Sequence, residues 1–254
     1  MLFDNPDWQI TALFLFAVTV MVLVMKLAAR CVPEASPTEC PLAFWIVPGP
    51  PSVERLQPIV SCASVIFRFL GLSGIVILSY FTYWRLVPTL NIPIVFRSYL
   101  AAPILLLLTE TLLALVAVLW LPSGRLWAPL HNQPWRARSV ADFWGQRWNN
   151  YYSDWTRFTI FQPLRHRPLL ALLLAFGFSA LLHEVVINVP LYLVTERALF
   201  GTMMIYFLAQ PLGILIERRF ESRPPVGLIC FWMFVVLPAP LVVNEGLMRT
   251  MHLW

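Results

Sequence analysis

His183 and Glu184 place an imidazole beside a carboxylate within the apolar run LLALLLAFGFSALLHEVVINVPLYLV. Ionisable side chains at membrane depth are costly and face a protein interior or a water-filled cavity. An imidazole there can act as a general base, relay a proton, or bond a neighbouring helix. A zinc protease of the HExxH kind needs a second histidine at position 187, which holds Ile187, so that chemistry is excluded on spacing. Neither GxSxG nor a P-loop occurs. The other histidines, His131, His166 and His252, fall in loops or at the terminus, which argues against haem. Cys31, Cys40, Cys62 and Cys230 lack metal-ligand spacing and read as small apolar residues. No metal site is expected.

The elements that must hold this pair are set by composition. The 254 residues are 59% hydrophobic with a mean hydropathy of +0.72, far above a soluble domain. In lipid the backbone must close its own hydrogen bonds, so the expected fold is all-α, a single integral membrane unit over 1–254. Six runs approach the roughly 20 apolar residues a span needs: Trp8–Ala28, Ile59–Trp84, Tyr99–Leu121, Leu169–Leu193, Leu199–Ile216 and Val226–Leu247. Leu42–Val47, flanked by Pro41, Pro48, Pro50 and Pro51, reads as a short interfacial or re-entrant piece.

Net charge is +5, and arginine supplies 17 of 18 basic residues. With no soluble domain to carry a basic face, nucleic acid is not an expected partner. The arginines instead orient the chain. They concentrate after span one, between spans three and four (residues 122–168), and between spans five and six, which puts these loops inside and both termini outside. The first span has its basic residues, Lys26 and Arg30, behind it, as expected of an uncleaved span.

Arg68 and Glu110 also lie within spans, about 14 Å and about 17 Å from the inner side at 1.5 Å per residue. The matching depths predict that they pair. In the inner loop, Val140, Trp144, Trp148, Tyr151, Trp155 and Phe158 recur every three or four residues, which predicts an aromatic amphipathic helix in the headgroup layer.

Ser139, Phe143, Trp144, Gly145, Arg147, Trp148 and Asn149, then Pro163-Leu164-Arg165, then Ser179 and His183-Glu184, resemble in order and spacing the signature of the membrane-bound O-acyltransferase family, wax-synthase branch. The likeness runs over about 45 residues. It implies His183 as the intramembrane catalytic histidine and Asn149 as the second signature polar residue. Ser139, Phe143, Trp144, Arg147, Trp148 and Glu184 become supporting or substrate-binding positions. Members of the family often carry eight or more spans, and Leu42–Val47 is a candidate for part of a further one.

The resemblance implies transfer of an acyl group from acyl-CoA, as co-substrate and without a bound cofactor, to a lipophilic alcohol, giving a wax-type ester. A short acyl group moved to a terpenoid or sterol alcohol is a variant. Acyl transfer needs the hydroxyl proton removed and a donor near the developing oxyanion. His183 lies about 21 Å from the inner end of its span, so the donor threads in from the inner face, where arginines meet the phosphates. The expected location is the endoplasmic reticulum or a bacterial inner membrane. A reading of another class is a small transporter or scaffold with a polar relay through Arg68, Glu110 and His183, against which no paired repeat is found.

Overall fold

A computed structural model describes residues 5–30, 56–58, 61–123, 125–127, 129–220 and 224–254. The Leu42–Val47 piece lies outside the described residues. The long helices follow the apolar runs. α1 spans Pro6–Arg30, α2 Cys62–Thr89 and α3 Ile94–Leu119. α2 is capped by Ser61, whose hydroxyl accepts from the Ser64 amide at 3.4 Å. α2 and α3 form an antiparallel hairpin, turned at Asn91, which takes a left-handed φ of 45°, a conformation asparagine tolerates. A two-stranded antiparallel ribbon, β1 (Leu56–Pro58) with β2 (Arg125–Trp127), closes this hairpin's base.

After the inner loop, α6 runs Pro168–Thr195, with a wide π turn at Glu184–Asn188. α7 is Thr202–Arg219. α8 begins at Pro224–Cys230 and continues through the π turn Phe231–Val236, and α9 is Glu245–Thr250. Among the described residues four helices, α1, α2, α3 and α6, are long and apolar enough to cross a membrane. The last two apolar runs form shorter pieces. α7 has 18 residues, about 27 Å of helix. The sixth run is interrupted at Pro238 and Pro240, where a proline's missing N–H and ring clash stop a helix. The chain is an all-α membrane protein with a short β-ribbon.

The inner loop departs from a single amphipathic helix. α4, a turn at Val140–Asp142 widening into a π turn at Phe143–Arg147, ends at Trp148. α5 restarts at Asn150–Thr156 and widens into another π turn at Arg157–Phe161. The break is Asn149, in the left-handed region at φ 42°. Much of the apolar face packs against protein: Val140, Tyr151 and Trp155 are buried. The periodicity reported a protein-facing stripe, and membrane anchoring is not what Tyr151 and Trp155 do. The core is an aromatic layer where α4, α6, α7 and α8 meet, containing Phe143, Phe176, Tyr206, Phe207 and Phe231. The far ends are tied down separately. Tyr80 and Tyr83 on α2 donate to the carbonyls of Met251 (2.9 Å) and Leu253 (2.8 Å), and Arg249 bridges Asp7 and Glu245.

Candidate active site

α6 carries His183. Its Nδ1 lies 2.7 Å from the Ser179 carbonyl oxygen, one turn back. A carbonyl only accepts, so Nδ1 holds the proton, and the neutral ring keeps its lone pair on Nε2. The ring is half-buried and packs 4.4 Å from Phe207 of α7. This is the tautomer and support a base requires.

Glu184 has a different task. Its Oε1 accepts from the backbone amides of Gly201 (2.8 Å), Met203 (3.0 Å) and Met204 (3.2 Å), and its Oε2 from Asn188 Nδ2 (2.7 Å). A buried carboxylate thus caps the start of α7, satisfying amides that no helix residue can reach and meeting the positive end of the helix dipole. The π turn brings Glu184 and Asn188 together, and Asn188 Oδ1 accepts in turn from Asn244 Nδ2 at 2.9 Å. Glu184 supports the fold beside the histidine.

The signature segment is built the same way. Ser139 caps α4 through the Asp142 amide (2.9 Å), and Glu217 of α7 accepts from the amides of Val140 (2.6 Å) and Ala141 (3.2 Å). Phe143 stacks on Trp148 at 5.4 Å. The Trp144 indole packs on Phe176 (5.8 Å) and Phe207 (5.7 Å), and its Nε1 donates to Gln210 Oε1 at 3.0 Å. Trp144 and His183 therefore meet across one ring, Phe207. Arg147 is held by Asp142 (Nε to Oδ2, 2.7 Å) and by the carbonyls of Asn132 and Gln133 (3.5 and 3.4 Å). With Gln133, Arg136 and Arg138 it lines an open cleft of about 520 Å3. Asn149 Oδ1 is taken up by the Tyr152 amide (3.1 Å). The structure thus brings Trp144 to His183 through Phe207, and places Arg147 on the cleft and Asn149 at the start of α5.

Arg68 pairs with Glu110 at 2.7 Å, as the depths predict. The other Glu110 oxygen holds His131 Nδ1 at 2.9 Å, and the His131 ring lies 4.5 Å from Trp148. The α2–α3 hairpin is thereby fastened to the signature segment. His131, Tyr152, Phe207, Gln210 and Glu217 are site-building residues that motif spacing did not single out. Gln210 and Glu217, polar and seven residues apart, share one face of α7, a signal present in the sequence. Among the described residues no group of three or more His, Cys, Asp or Glu side chains converges to hold a metal.

Residues 127–208, which contain the signature segment, α6 and the start of α7, match the model of the Membrane bound O-acyl transferase family. Over these residues the chain is similar to the membrane-bound O-acyltransferases. It is 28% identical over 162 residues to the probable long-chain-alcohol O-fatty-acyltransferase 7 of Arabidopsis thaliana, covering 58% of this chain and 47% of that one. It is 42% identical over 67 residues to the long-chain-alcohol O-fatty-acyltransferase of Simmondsia chinensis, covering 22% of this chain and 19% of that one. Diacylglycerol O-acyltransferase 1 of Dictyostelium discoideum is 29% identical over 112 residues, 43% of this chain and 17% of that one. The chain spans less than half the length of these acyltransferases. No solved structure matches it.

Proposed function

We propose that this chain transfers an acyl group from acyl-CoA to the hydroxyl of a lipophilic alcohol, with His183 as the general base. The observation that carries the reading is the His183 Nδ1 bond to the Ser179 carbonyl, which leaves Nε2 as the proton acceptor. The alcohol gives its proton to Nε2 as its oxygen attacks the thioester carbonyl. The C–S bond breaks, the CoA thiolate leaves and takes the proton back from the imidazolium. No acyl-enzyme is needed. Phe207 packs on the His183 ring, with Trp144 and Phe176 behind it, an apolar surround of the kind that limits hydrolysis of a thioester. The cleft of Gln133, Arg136, Arg138 and Arg147 supplies guanidinium groups of the kind that bind the phosphates of CoA. It sits in the loop that arginine bias assigns to the cytosolic side of the membrane.

The named relatives act on two acceptor classes, long-chain alcohols and diacylglycerol, and the wax-ester reading takes the first. Purified protein given palmitoyl-CoA with 1-hexadecanol, diolein, a sterol and a terpenol in separate reactions tests this by mass spectrometry of the ester. Hexadecyl palmitate is the expected product. Palmitoyl-dioleoylglycerol as the product would move the acceptor to diacylglycerol, and no ester with any acceptor would contradict the acyltransferase reading.

A further inference from the structure

We propose that Asn149 is a positioning residue rather than a group that touches substrate, and that it acts through Tyr152, which braces the turn of α6 holding His183. The proposal rests on the acyltransferase reading above for its kinetic test and on geometry alone for the rest.

Asn149 sits at φ 42° and ψ 65°, where Asn, Asp and Gly are the residues accommodated at least cost. This kink ends α4 and starts α5 in a new direction. The Asn149 side-chain oxygen then accepts from the Tyr152 amide at 3.1 Å, the bond of a helix N-cap. The kink and cap at Asn149 thus fix how α5 begins, and with it where Tyr152 is presented. α5 delivers Tyr152 to α6: its hydroxyl donates to the Ala175 carbonyl at 3.0 Å, with the Ser179 hydroxyl beside it. Ser179 is also the residue whose carbonyl holds His183 Nδ1 at 2.7 Å. Asn149, Tyr152, the Ala175–Ser179 turn and His183 thus form a continuous series of contacts. The rest of α5 is clamped in place. Trp155 stacks on Phe178 of α6 at 5.2 Å, and its Nε1 donates to the Met25 carbonyl of α1 at 2.9 Å. Burial pushes the Tyr152 phenol pKa up, so the hydroxyl stays a donor at neutral and alkaline pH.

The two roles for Asn149 separate by chemistry. A group donating to an oxyanion or substrate must use the amide NH2, which aspartate lacks. A cap needs only the oxygen and tolerance of the left-handed conformation, and aspartate offers both, with a favourable charge at a helix start. The test measures kcat and KM for palmitoyl-CoA with 1-hexadecanol in wild type, Asn149→Asp, Asn149→Ala and Tyr152→Phe. Asn149→Asp is expected within about threefold of wild type in kcat, while Asn149→Ala and Tyr152→Phe lose roughly 10- to 100-fold in kcat with little change in KM, the scale of a misplaced catalytic group. Asn149→Asp as inactive as Asn149→Ala, or Tyr152→Phe with wild-type kcat, overturns the proposal. Labelling of His183 by diethyl pyrocarbonate, read by mass spectrometry in folded protein without substrate, runs alongside. The wild-type rate is expected in Asn149→Asp and a changed rate in Asn149→Ala and Tyr152→Phe. Identical labelling in all four proteins overturns the proposal even if wild type makes no ester, an outcome that on its own counts only against the acyltransferase reading.

Discussion

Replacing Glu184 separates support from chemistry beside His183. In Glu184→Ala, the amides of Gly201, Met203 and Met204 and one Asn188 amide hydrogen lose their acceptor. Loss of a helix cap alone costs about 1 kcal/mol. Buried donors left without a partner add about 1–3 kcal/mol each where water cannot enter. Such losses are not additive, and relaxation of the α7 start recovers part of them, so the expected total is about 3–5 kcal/mol. At about 2–4 °C per kcal/mol for a chain of this size, Glu184→Ala lowers the Tm in detergent by roughly 6–20 °C. Glu184→Gln keeps an acceptor oxygen for the three backbone amides but loses the charge and sets an NH2 against the Asn188 Nδ2 donor, so its fall is smaller than that of Glu184→Ala without vanishing. The assay is thermal unfolding followed by size-exclusion in detergent, with ester formation measured at a temperature where every variant is folded. At that temperature Glu184→Gln retains most of its activity. A Glu184→Ala protein melting within about 1 °C of wild type, or a stable Glu184→Gln without activity, would refute the reasoning.

Other outcomes follow from the same geometry. Arg136→Ala with Arg138→Ala, both on the cleft, raises KM for palmitoyl-CoA about tenfold while kcat holds, because one charge-assisted contact to phosphate is worth about 1.5–3 kcal/mol and exposure reduces it; steady-state kinetics at low and high salt check this. A Cβ on Gly227 meets the Arg138 carbonyl at 2.8 Å and the Ser139 Cβ at 3.3 Å. Gly227→Ala therefore displaces α8 from the start of α4 and destabilises the protein by about 1–3 kcal/mol, read as a lower Tm. Gln210→Leu leaves the Trp144 Nε1–H without its acceptor at about 1–3 kcal/mol. Adding Trp144→Phe to it costs less than the two single losses summed, which a double-mutant cycle of Tm values reports.

Apolar runs located α1, α2, α3 and α6 because lipid allows only helices with that much hydrophobicity. Charge depth alone paired Arg68 with Glu110, since a charge at that depth requires a partner. The pairing of Glu110 with His131 was not legible, because a loop residue's approach depends on tertiary packing. The three- and four-residue spacing from Val140 to Phe158 marked an apolar stripe but set it in the headgroup layer, whereas Val140, Tyr151 and Trp155 are buried in protein. It did not show the break at Asn149, because a single left-handed residue leaves periodicity on either side intact. Their place inside an apolar run marked His183 and Glu184, and their different hydrogen-bond partners divided their roles. Tyr152 lay unremarked among neighbouring aromatics, since nothing in its spacing distinguishes a hydroxyl aimed at the Ala175 carbonyl from one facing headgroups.

The central claim is that His183 Nε2 takes the alcohol proton. The measurement that tests it most directly is the rate of alcohol-dependent CoA release by wild type and by folded His183→Ala, with palmitoyl-CoA and 1-hexadecanol. General-base catalysis predicts a loss of about 10²- to 10⁴-fold in kcat. His183→Ala protein that is folded and releases CoA at the wild-type rate would contradict the account.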